Sequence, residues 1–339
     1  MVTIKDVSRL AKVSKSTVSR VIADNGYVSE TKRRAVEEAI ATLGYRPNTM
    51  ARGLRSNRSN IIGGVVLDVT SPFYAQMVGG TQQACRDAGK GLLLSSGFGD
   101  TAEEERAIIE LVDRSCDGLV LNLENPIRRE VADIIRAAGI PVVMVGASDY
   151  PVADGAVTVD NAGGAEAGMA YLLDQGHRRI AHLGGGTAHR DSRQRVRGIE
   201  RALEARGLTL DDINVEHGTF TEQYGYDAIK RLFAHKAPYT AIFAGDDDIA
   251  AGAVLALKEL GYRIPEDVSV IGFDDNFHAR HLTPALTTVR QPIGEVGRIA
   301  AEMLLKLLSG HPLEQKSVIV PAELIVRGSV AAPSGSAKS

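Results

Sequence analysis

The chain has 339 residues, of which 44% are apolar and 24% are charged, and its formal net charge is −3. That length exceeds one typical domain and that apolar fraction can bury a sizeable core, which excludes a disordered chain. No apolar run approaches the roughly 18 residues of a membrane span, and MVTIKDV lacks a signal-sequence pattern, so we expect a cytoplasmic protein. Cys85 and Cys116 lie apart in apolar segments, which predicts buried thiols rather than a disulfide framework or a zinc site.

Two short helices separated by a tight turn are predicted at the start of the chain. Thr3 is a good N-cap, and Asp6, three residues later, completes a capping-box pattern that opens the first helix. Ser14 is a natural N-cap for a second helix, in which Val18 and Val21 belong to an apolar stripe that faces inward. The sequence therefore predicts a helix-turn-helix unit.

The outer face of the second helix carries Lys15, Ser16 and Arg20, which are the residue types that a recognition helix presents to the DNA major groove. A solvated helical hairpin would also place charged residues outside. The charge distribution favours DNA, because residues 1–58 hold 12 Lys and Arg against five Asp and Glu, whereas residues 59–339 hold 27 against 37. A basic head on an acidic body predicts that the head meets a polyanion.

The segment TIKDVSRLAKVSKSTVSRVIADNGYVSETKRRAVEEAIATLGYRPNTMARGLRS resembles, nearly residue for residue, the headpiece of the LacI/GalR family of bacterial transcription regulators. The resemblance implies a helix-turn-helix headpiece over residues 1–58, with a third helix from Glu30, capped by Ser29, to Leu43 and a hinge helix at about 48–54. In a dimer the paired hinge helices would lie in the minor groove, where Leu54 would insert between bases. The residues expected to contact DNA are Thr3, Lys5, Ser14, Lys15, Ser16, Thr17, Ser19, Arg20, Asn25, Tyr45, Asn48, Ala51 and Leu54.

Beyond Ser59, short apolar runs alternate with amphipathic helices of about 12 residues, a pattern typical of parallel sheets built from right-handed crossovers. The predicted strands are 61–67, 91–95, 118–121, 141–145, 156–159, 180–183, 213–217, 240–244, 268–273 and 286–289. These are too many for one compact sheet. We therefore expect an α/β body of two doubly wound parallel sheets, with a ligand cleft between them at the carboxyl ends of the strands.

The body also resembles the effector-binding domain of the same family, particularly its galactose and β-glucoside branch, and through it the periplasmic sugar-binding proteins. The motifs DVTSPFYAQMVGG, VDNAGGAEAG, FAGDDDIAAGAVLAL and VSVIGFDD carry the likeness. It implies an effector domain over 59–330, with one subdomain at about 61–160 and 291–319 and another at about 161–290 and 320–330. Residues 331–339 are small, polar and rich in Pro, Gly and Ser, which predicts a flexible tail.

Candidate effector contacts follow from position and from this resemblance. Phe73 and Tyr74 come directly after a strand at the expected cleft mouth, although an aromatic side chain there can simply be core. The resemblance implies that Arg195 and Asp274 hydrogen-bond effector oxygens, whereas a surface arginine and a helix-capping aspartate are the alternatives. Asp246 departs from the Asn that is usual in the family. The expected effector-binding residues are Phe73, Tyr74, Asp160, His189, Asp191, Arg195, Phe220, Asp246 and Asp274.

Enzyme signatures are weak in this sequence. Gly184–Gly186 follows a predicted strand but matches neither a dinucleotide fingerprint nor a P-loop, and successive aspartates at 246–248 rarely converge on one metal ion. We expect no catalytic residues, no cofactor and no metal. The predicted function is transcriptional repression of a carbohydrate-utilisation operon by a homodimer on palindromic operator DNA, with a neutral sugar or glycoside as effector and no membrane partner. A sugar-binding module or a sugar-metabolising enzyme without DNA activity remains the alternative.

Overall fold

The computed structural model describes residues 2–24, 26–45, 58–147, 149–234 and 239–333, and it divides the chain into two compact units at Ser59 and Asn60. The first unit contains the helices α1 (Ile4–Leu10), α2 (Lys15–Ala23) and α3 (Glu30–Leu43). The expected hinge helix at 48–54 lies outside the described residues.

The helices of the first unit enclose a small apolar core. Val7, Val18 and Val36, one from each helix, are fully buried at its centre. The predicted capping box forms, because the backbone N–H and hydroxyl of Thr3 donate to the Asp6 carboxylate over 3.0 and 2.7 Å. This packing orients α2, so its polar face is held outward by the burial of its apolar face.

The second unit is built on two six-stranded sheets, which confirms the predicted α/β class. The strands are β1 (Ile61–Val66), β2 (Gly91–Ser96), β3 (Gly118–Asn122), β4 (Val142–Val145), β5 (Gly155–Val159), β6 (Ile180–Gly185), β7 (Asn214–Gly218), β8 (Ala241–Ala244), β9 (Ser269–Asp274), β10 (Thr287–Arg290), β11 (Ser317–Val320) and β12 (Glu323–Ile325). The first sheet has the order β11-β5-β4-β3-β1-β2 and is parallel throughout. The second has the order β12-β10-β9-β8-β6-β7 and is parallel except for β12, which pairs antiparallel with β10.

The helices of this unit lie between the strands in the sequence. They are α4 (Pro72–Asp87), α5 (Thr101–Asp113), α6 (Arg129–Ala138), α7 (Asn161–Asp174), α8 (Arg190–Glu204), α9 (Glu222–Leu232), α10 (Asp247–Glu259), α11 (Phe277–His281) and α12 (Ile293–Leu308), with a short 3-10 helix at Leu210–Asp212. In the part of the chain that the structure describes, every helix is too short or too polar to span a bilayer.

The chain passes between the two sheets three times, after Val159, after Arg290 and after Val320. Strands β1 to β5 and β11, with α12 packed on them, form the first subdomain, and the remaining strands form the second. Three adjacent connections of this kind are a hinge, because the halves can rotate about them while each sheet stays intact.

Close helix packing explains several glycines inside helices. A Cβ at Gly80 of α4 would lie 1.8 Å from the Gly294 carbonyl oxygen of α12, and one at Gly297 would lie 2.1 Å from the Met77 carbonyl oxygen. Helices α7 and α8 meet in the same way, since a Cβ at Gly198 would lie 2.0 Å from the Ala162 oxygen. Each subdomain therefore has a rigid pair of helices beside its sheet.

The predicted flexible tail needs a correction at its first residue. The Ala331 carbonyl accepts hydrogen bonds from His177 Nε2 (2.9 Å) and Ser269 Oγ (3.0 Å), and the Ala331 N–H donates to Ser269 Oγ. Ser329, two residues earlier, is buried against Val270. These bonds between side chains and the backbone hold the chain on the second sheet through Ala331. Residues 334–339 lie outside the described residues.

Candidate DNA-binding surface and ligand cleft

The N-terminal half of α2 presents a polar face to solvent. Lys15, Ser16 and Arg20 are all exposed, and within the described residues neither Lys15 nor Arg20 forms an ion pair. Ser14 caps the helix by accepting from the Thr17 N–H over 3.1 Å, and its hydroxyl lies 2.7 Å from that of Ser16. Two uncompensated cations beside a row of hydroxyl groups can contact both phosphates and base edges.

The other expected DNA contacts differ in their exposure. Thr3 and Lys5 are exposed, while Thr17, Ser19 and Tyr45 are partly buried. Tyr45 packs against the core of the helical unit, so its ring has a structural role there. The remaining expected contacts, Asn25, Asn48, Ala51 and Leu54, lie outside the described residues.

A cleft opens between the two sheets at the carboxyl ends of their strands. It consists of cavities of about 410 and 220 Å³ that share the lining residues Asp68, Tyr74, Asp191 and Phe220. Of the expected effector contacts, the structure brings these together: Phe73, Tyr74, His189, Asp191, Arg195, Phe220, Asp246 and Asp274.

The structure places Asp160 elsewhere. It is the N-cap of α7, where its carboxylate accepts from the Gly163 N–H over 2.8 Å, and it lines a separate groove beside Arg197 and Ile319. Asp160 follows β5 of the first sheet but begins a helix of the second, so it lies on the crossover instead of in the cleft.

Arg195 is the buried centre of the cleft floor, with 5% of its surface exposed. Its Nε donates to Asn161 Oδ1 over 2.9 Å, its Nη1 donates to the Gly245 carbonyl, and its Nη2 lies 3.5 Å from Asp274 Oδ1. The guanidinium carbon also lies 3.9 Å from the centre of the Phe273 ring, within the range of a cation–π contact. Arg195 thus connects the start of α7, directly after the first crossover, with the ends of β8 and β9 in the second sheet.

Carboxylates dominate the rest of the cleft. Burial raises the pKa of Asp274 to about 7, against the lowering influence of Arg195. Burial, with a smaller contribution from the charge of Asp274, holds the pKa of Asp246 well above its usual range, and burial also raises that of Asp191. Asp246 caps α10 by accepting from the Ile249 N–H over 2.7 Å. These groups can accept hydrogen bonds from hydroxyl groups and disfavour an anionic ligand.

The sequence analysis missed several cleft residues on the first sheet. Asn122 and Glu124 lie at the end of β3 and line the larger cavity, as does Phe98. Glu124 pairs with His189, with Oε1 and Nδ1 separated by 3.0 Å. The rule that carboxyl strand ends meet at a cleft could have found them, because all three follow predicted strands. Among the described residues, the His, Cys, Asp and Glu side chains form no group of three or more that could hold a metal ion.

Comparison with known proteins places these features in context. A family model described as "Bacterial regulatory proteins, lacI family" matches residues 3–48, and a "Periplasmic binding protein-like domain" matches residues 169–330. The ribose operon repressor of Escherichia coli K12 is 34% identical over 97% of this chain and 100% of its own length. Two solved structures are also similar. The regulator CelR in complex with cellobiose is 33% identical with a TM-score of 0.72, and the match covers 97% of this chain and 100% of CelR. The lac repressor dimer bound to operator and the anti-inducer ONPF is 26% identical with a TM-score of 0.87, and the match covers 98% of this chain and 99% of the repressor chain.

Proposed function

The chain belongs to the LacI family of bacterial transcription regulators, and from this premise we propose that it represses a carbohydrate-utilisation operon under the control of a sugar bound between its two subdomains. The observation that carries the proposal is the exposed face of α2, where Lys15 and Arg20 lack acidic partners among the described residues. A cation without a partner is free to neutralise phosphate or to read a base edge. Operator binding also implies a cytoplasmic location.

The regulator acts as a homodimer on a palindromic operator. Each helix-turn-helix unit would read one half-site, and a two-fold protein fits a two-fold DNA sequence. The similar lac repressor is a dimer on its operator, which supports this arrangement. The expected contact residues of the hinge, among them Leu54, belong to the same proposal.

The effector is a neutral sugar or glycoside. The carboxylates that line the two cavities are Asp68, Glu124, Asp191, Asp246, Asp248 and Asp274. The cations there are already engaged, since Arg190 pairs with Asp149 and Arg195 bonds within the floor. A phosphate group would therefore meet carboxyl groups and no free cation among these lining residues, whereas sugar hydroxyls can hydrogen-bond to the carboxyl groups. The ribose repressor and the cellobiose-bound CelR, as similar proteins, agree with this ligand class.

Within the cleft, Phe73, Tyr74 and Phe220 would pack on the sugar ring, while His189, Asp191, Arg195, Asp246 and Asp274 would bind its hydroxyls. Asp160 lies at the crossover between the subdomains and outside the two cavities, so its proposed role is at the hinge and it does not contact the sugar. Effector and operator affinities must be coupled reciprocally, typically by about 1 to 3 kcal/mol.

Two measurements test the proposal. Selection from a random duplex pool should return a palindrome, and gel shifts should show stronger binding to it than to a shuffled duplex of the same composition. Thermal shift with D-ribose, D-galactose and cellobiose should raise the melting temperature for at least one sugar and not for D-ribose 5-phosphate, because a ligand that binds the native state stabilises it. Sugar binding without any duplex preference would instead indicate a sugar-binding module, and turnover of the sugar would indicate an enzyme.

A further inference from the structure

Two ion pairs connect the subdomains across the mouth of the cleft. Glu124 Oε1, after β3 of the first sheet, lies 3.0 Å from Nδ1 of His189, the N-cap of α8 in the second subdomain. Asp149 Oδ1, after β4, lies 2.8 Å from Nη2 of Arg190, the first residue of α8. Both acids therefore come from adjacent strands of one sheet, and both cationic partners from consecutive residues of one helix.

This arrangement makes the two pairs depend on one movement. The chain connections between the subdomains all lie at the crossovers after Val159, Arg290 and Val320, so a rotation that widens the cleft separates β3 and β4 from α8. Such a rotation lengthens both ion pairs together. Neither pair bridges residues within one subdomain, so neither contributes to the stability of a single half.

The partners are held in place from opposite sides. The buried carboxylate of Glu104 accepts from the N–H groups of Glu124 and Asn125 over 2.8 and 3.2 Å, which fixes the loop after β3. On the other side the ring of Phe220 packs edge-on against His189, with centroids 5.5 Å apart. The pair is therefore preorganised by elements that belong to different subdomains.

We propose that Glu124–His189 and Asp149–Arg190 form a cross-cleft latch, in which these positioning residues hold the effector cleft closed and make its closure sensitive to pH. The inference rests on the proposed function, since it assigns a regulation to the same cleft. It concerns the equilibrium between open and closed forms, and it requires no particular sugar.

The pH response follows from the groups around His189. Glu124 faces it from the first subdomain, Asp191, Arg190 and Arg193 lie on its own helix, and Asp68 lines the same cavity. The hydrogen bond to Glu124 raises the pKa of His189, so proton binding favours the latched form. The extra stability of the closed form is complete below the ordinary histidine pKa and disappears as the pH rises through the raised value.

Pulsed electron–electron double resonance, which measures the distance between two spin labels, reports this closure directly in the ligand-free full chain. Glu130→Cys on α6 and Gln223→Cys on α9 place spin labels on exposed sites of opposite subdomains, and the native Cys85 and Cys116 are buried. Dilution with unlabelled chain removes signals between protomers. We expect a larger population of the short distance at pH 6 than at pH 8, by about two- to fivefold, as for one exposed ion pair.

Variants in the labelled background separate the two pairs. Glu124→Gln and His189→Gln should each reduce the pH response by the same amount and leave only the part that is due to Asp274, which also titrates in this range. Asp149→Asn should lengthen the distance at both pH values and keep the full response. His311→Gln, at an exposed site after α12, is the matched control and should match the parent. Identical distributions at pH 6 and pH 8 in the parent, or a pH response in His189→Gln as large as in the parent, would overturn the latch. Since no sugar is present, this failure is distinct from that of the proposed function, which would show as no thermal shift with any sugar.

Discussion

The substitution Arg195→Met replaces a buried guanidinium by a shorter, unbranched apolar side chain. The wild-type group donates to Asn161 and to the Gly245 carbonyl, faces Asp274 at 3.5 Å, and lies 3.9 Å from the Phe273 ring centre. Removal of one partner from a buried charge pair leaves the other uncompensated, which typically costs about 3 to 5 kcal/mol. We expect the loss in the free energy of unfolding to approach this size at pH 8.5, where the Asp274 carboxyl of the wild type is ionised.

The loss should grow with pH, because it falls mainly on Asp274. In the folded protein burial already raises the pKa of Asp274 to about 7 from a reference value of 3.8, although Arg195 lowers it. A folded-state pKa above the unfolded one means that stability falls as the pH rises through this interval, and the interval corresponds to ~4 kcal/mol for this carboxyl. Without Arg195 the pKa rises further. The variant should therefore be closest to the wild type at pH 5.5 and furthest from it at pH 8.5.

Urea unfolding at pH 5.5, 7.0 and 8.5 provides the measurement, with the midpoint and the m-value fitted at each pH. Arg197→Met is the matched control, since Arg197 is exposed on the same helix and forms no ion pair within the described residues. It should change the free energy of unfolding by less than about 0.5 kcal/mol. A loss below ~1 kcal/mol for Arg195→Met, or one that is equal at the three pH values, would refute the assignment of Arg195 as the counter-charge of Asp274.

Three further expectations concern other parts of the chain. Arg20→Ala should weaken binding to the selected operator by about 1 to 3 kcal/mol in gel shifts while affecting a shuffled duplex much less, and equal losses would make Arg20 a phosphate contact. Asp246→Asn keeps an N-cap for Ile249 but removes a buried carboxyl whose pKa is raised by burial and by Asp274, so calorimetry should show a larger gain in melting temperature at pH 8 than at pH 5. A gain independent of pH would contradict this. Deletion of residues 334–339 should leave a dimer in sedimentation velocity, and a tetramer would exclude the proposed assembly. Deletion from Ala331 onward should lower the melting temperature, because His177 and Ser269 lose their hydrogen-bond partner.

Local patterns predicted the strands of the body well, since each of the ten expected strands is present within two residues of its predicted ends. The edge strands β11 and β12 were not predicted. Both are short and largely exposed, whereas β4, β8 and β10 are as short as β11 but mostly buried and apolar enough to be recognised. The N-caps of the helices were likewise predicted in position but not in every hydrogen bond. Ser14 caps α2 through its side chain as expected, while Ser29 occupies the N-cap of α3 without a side-chain capping bond in the described structure. Spacing identifies the position, but packing decides the rotamer.

The position of the cleft could be predicted from the sheet topology, but only for residues that stay with one sheet. Side chains after parallel strands meet at one edge of a sheet, and this places Tyr74, Asp246 and Asp274 at the cleft. The same rule fails for Asp160, because the chain changes sheets directly after β5 and Asp160 starts a helix of the other subdomain. The contacts between Glu124 and His189 could not be predicted at all, since they depend on how far the two subdomains are rotated toward each other.

Arg195 bonds both to the crossover and to the cleft floor, and this double role affects how effector binding must be tested. It bonds to Asn161, the residue directly after the first crossover, and it faces Asp274 at the end of β9. The bond to Asn161 is 2.9 Å long and the contact with Asp274 is 3.5 Å, so a ligand hydroxyl competes most readily for the weaker, longer contact. A ligand that engages Asp274 therefore changes the partners of a side chain anchored at the hinge. For the same reason a substitution of Arg195 would remove both a proposed ligand contact and a structural bond. A substitution at the rim, such as Phe73→Leu, would change the proposed ligand surface and leave this buried network in place.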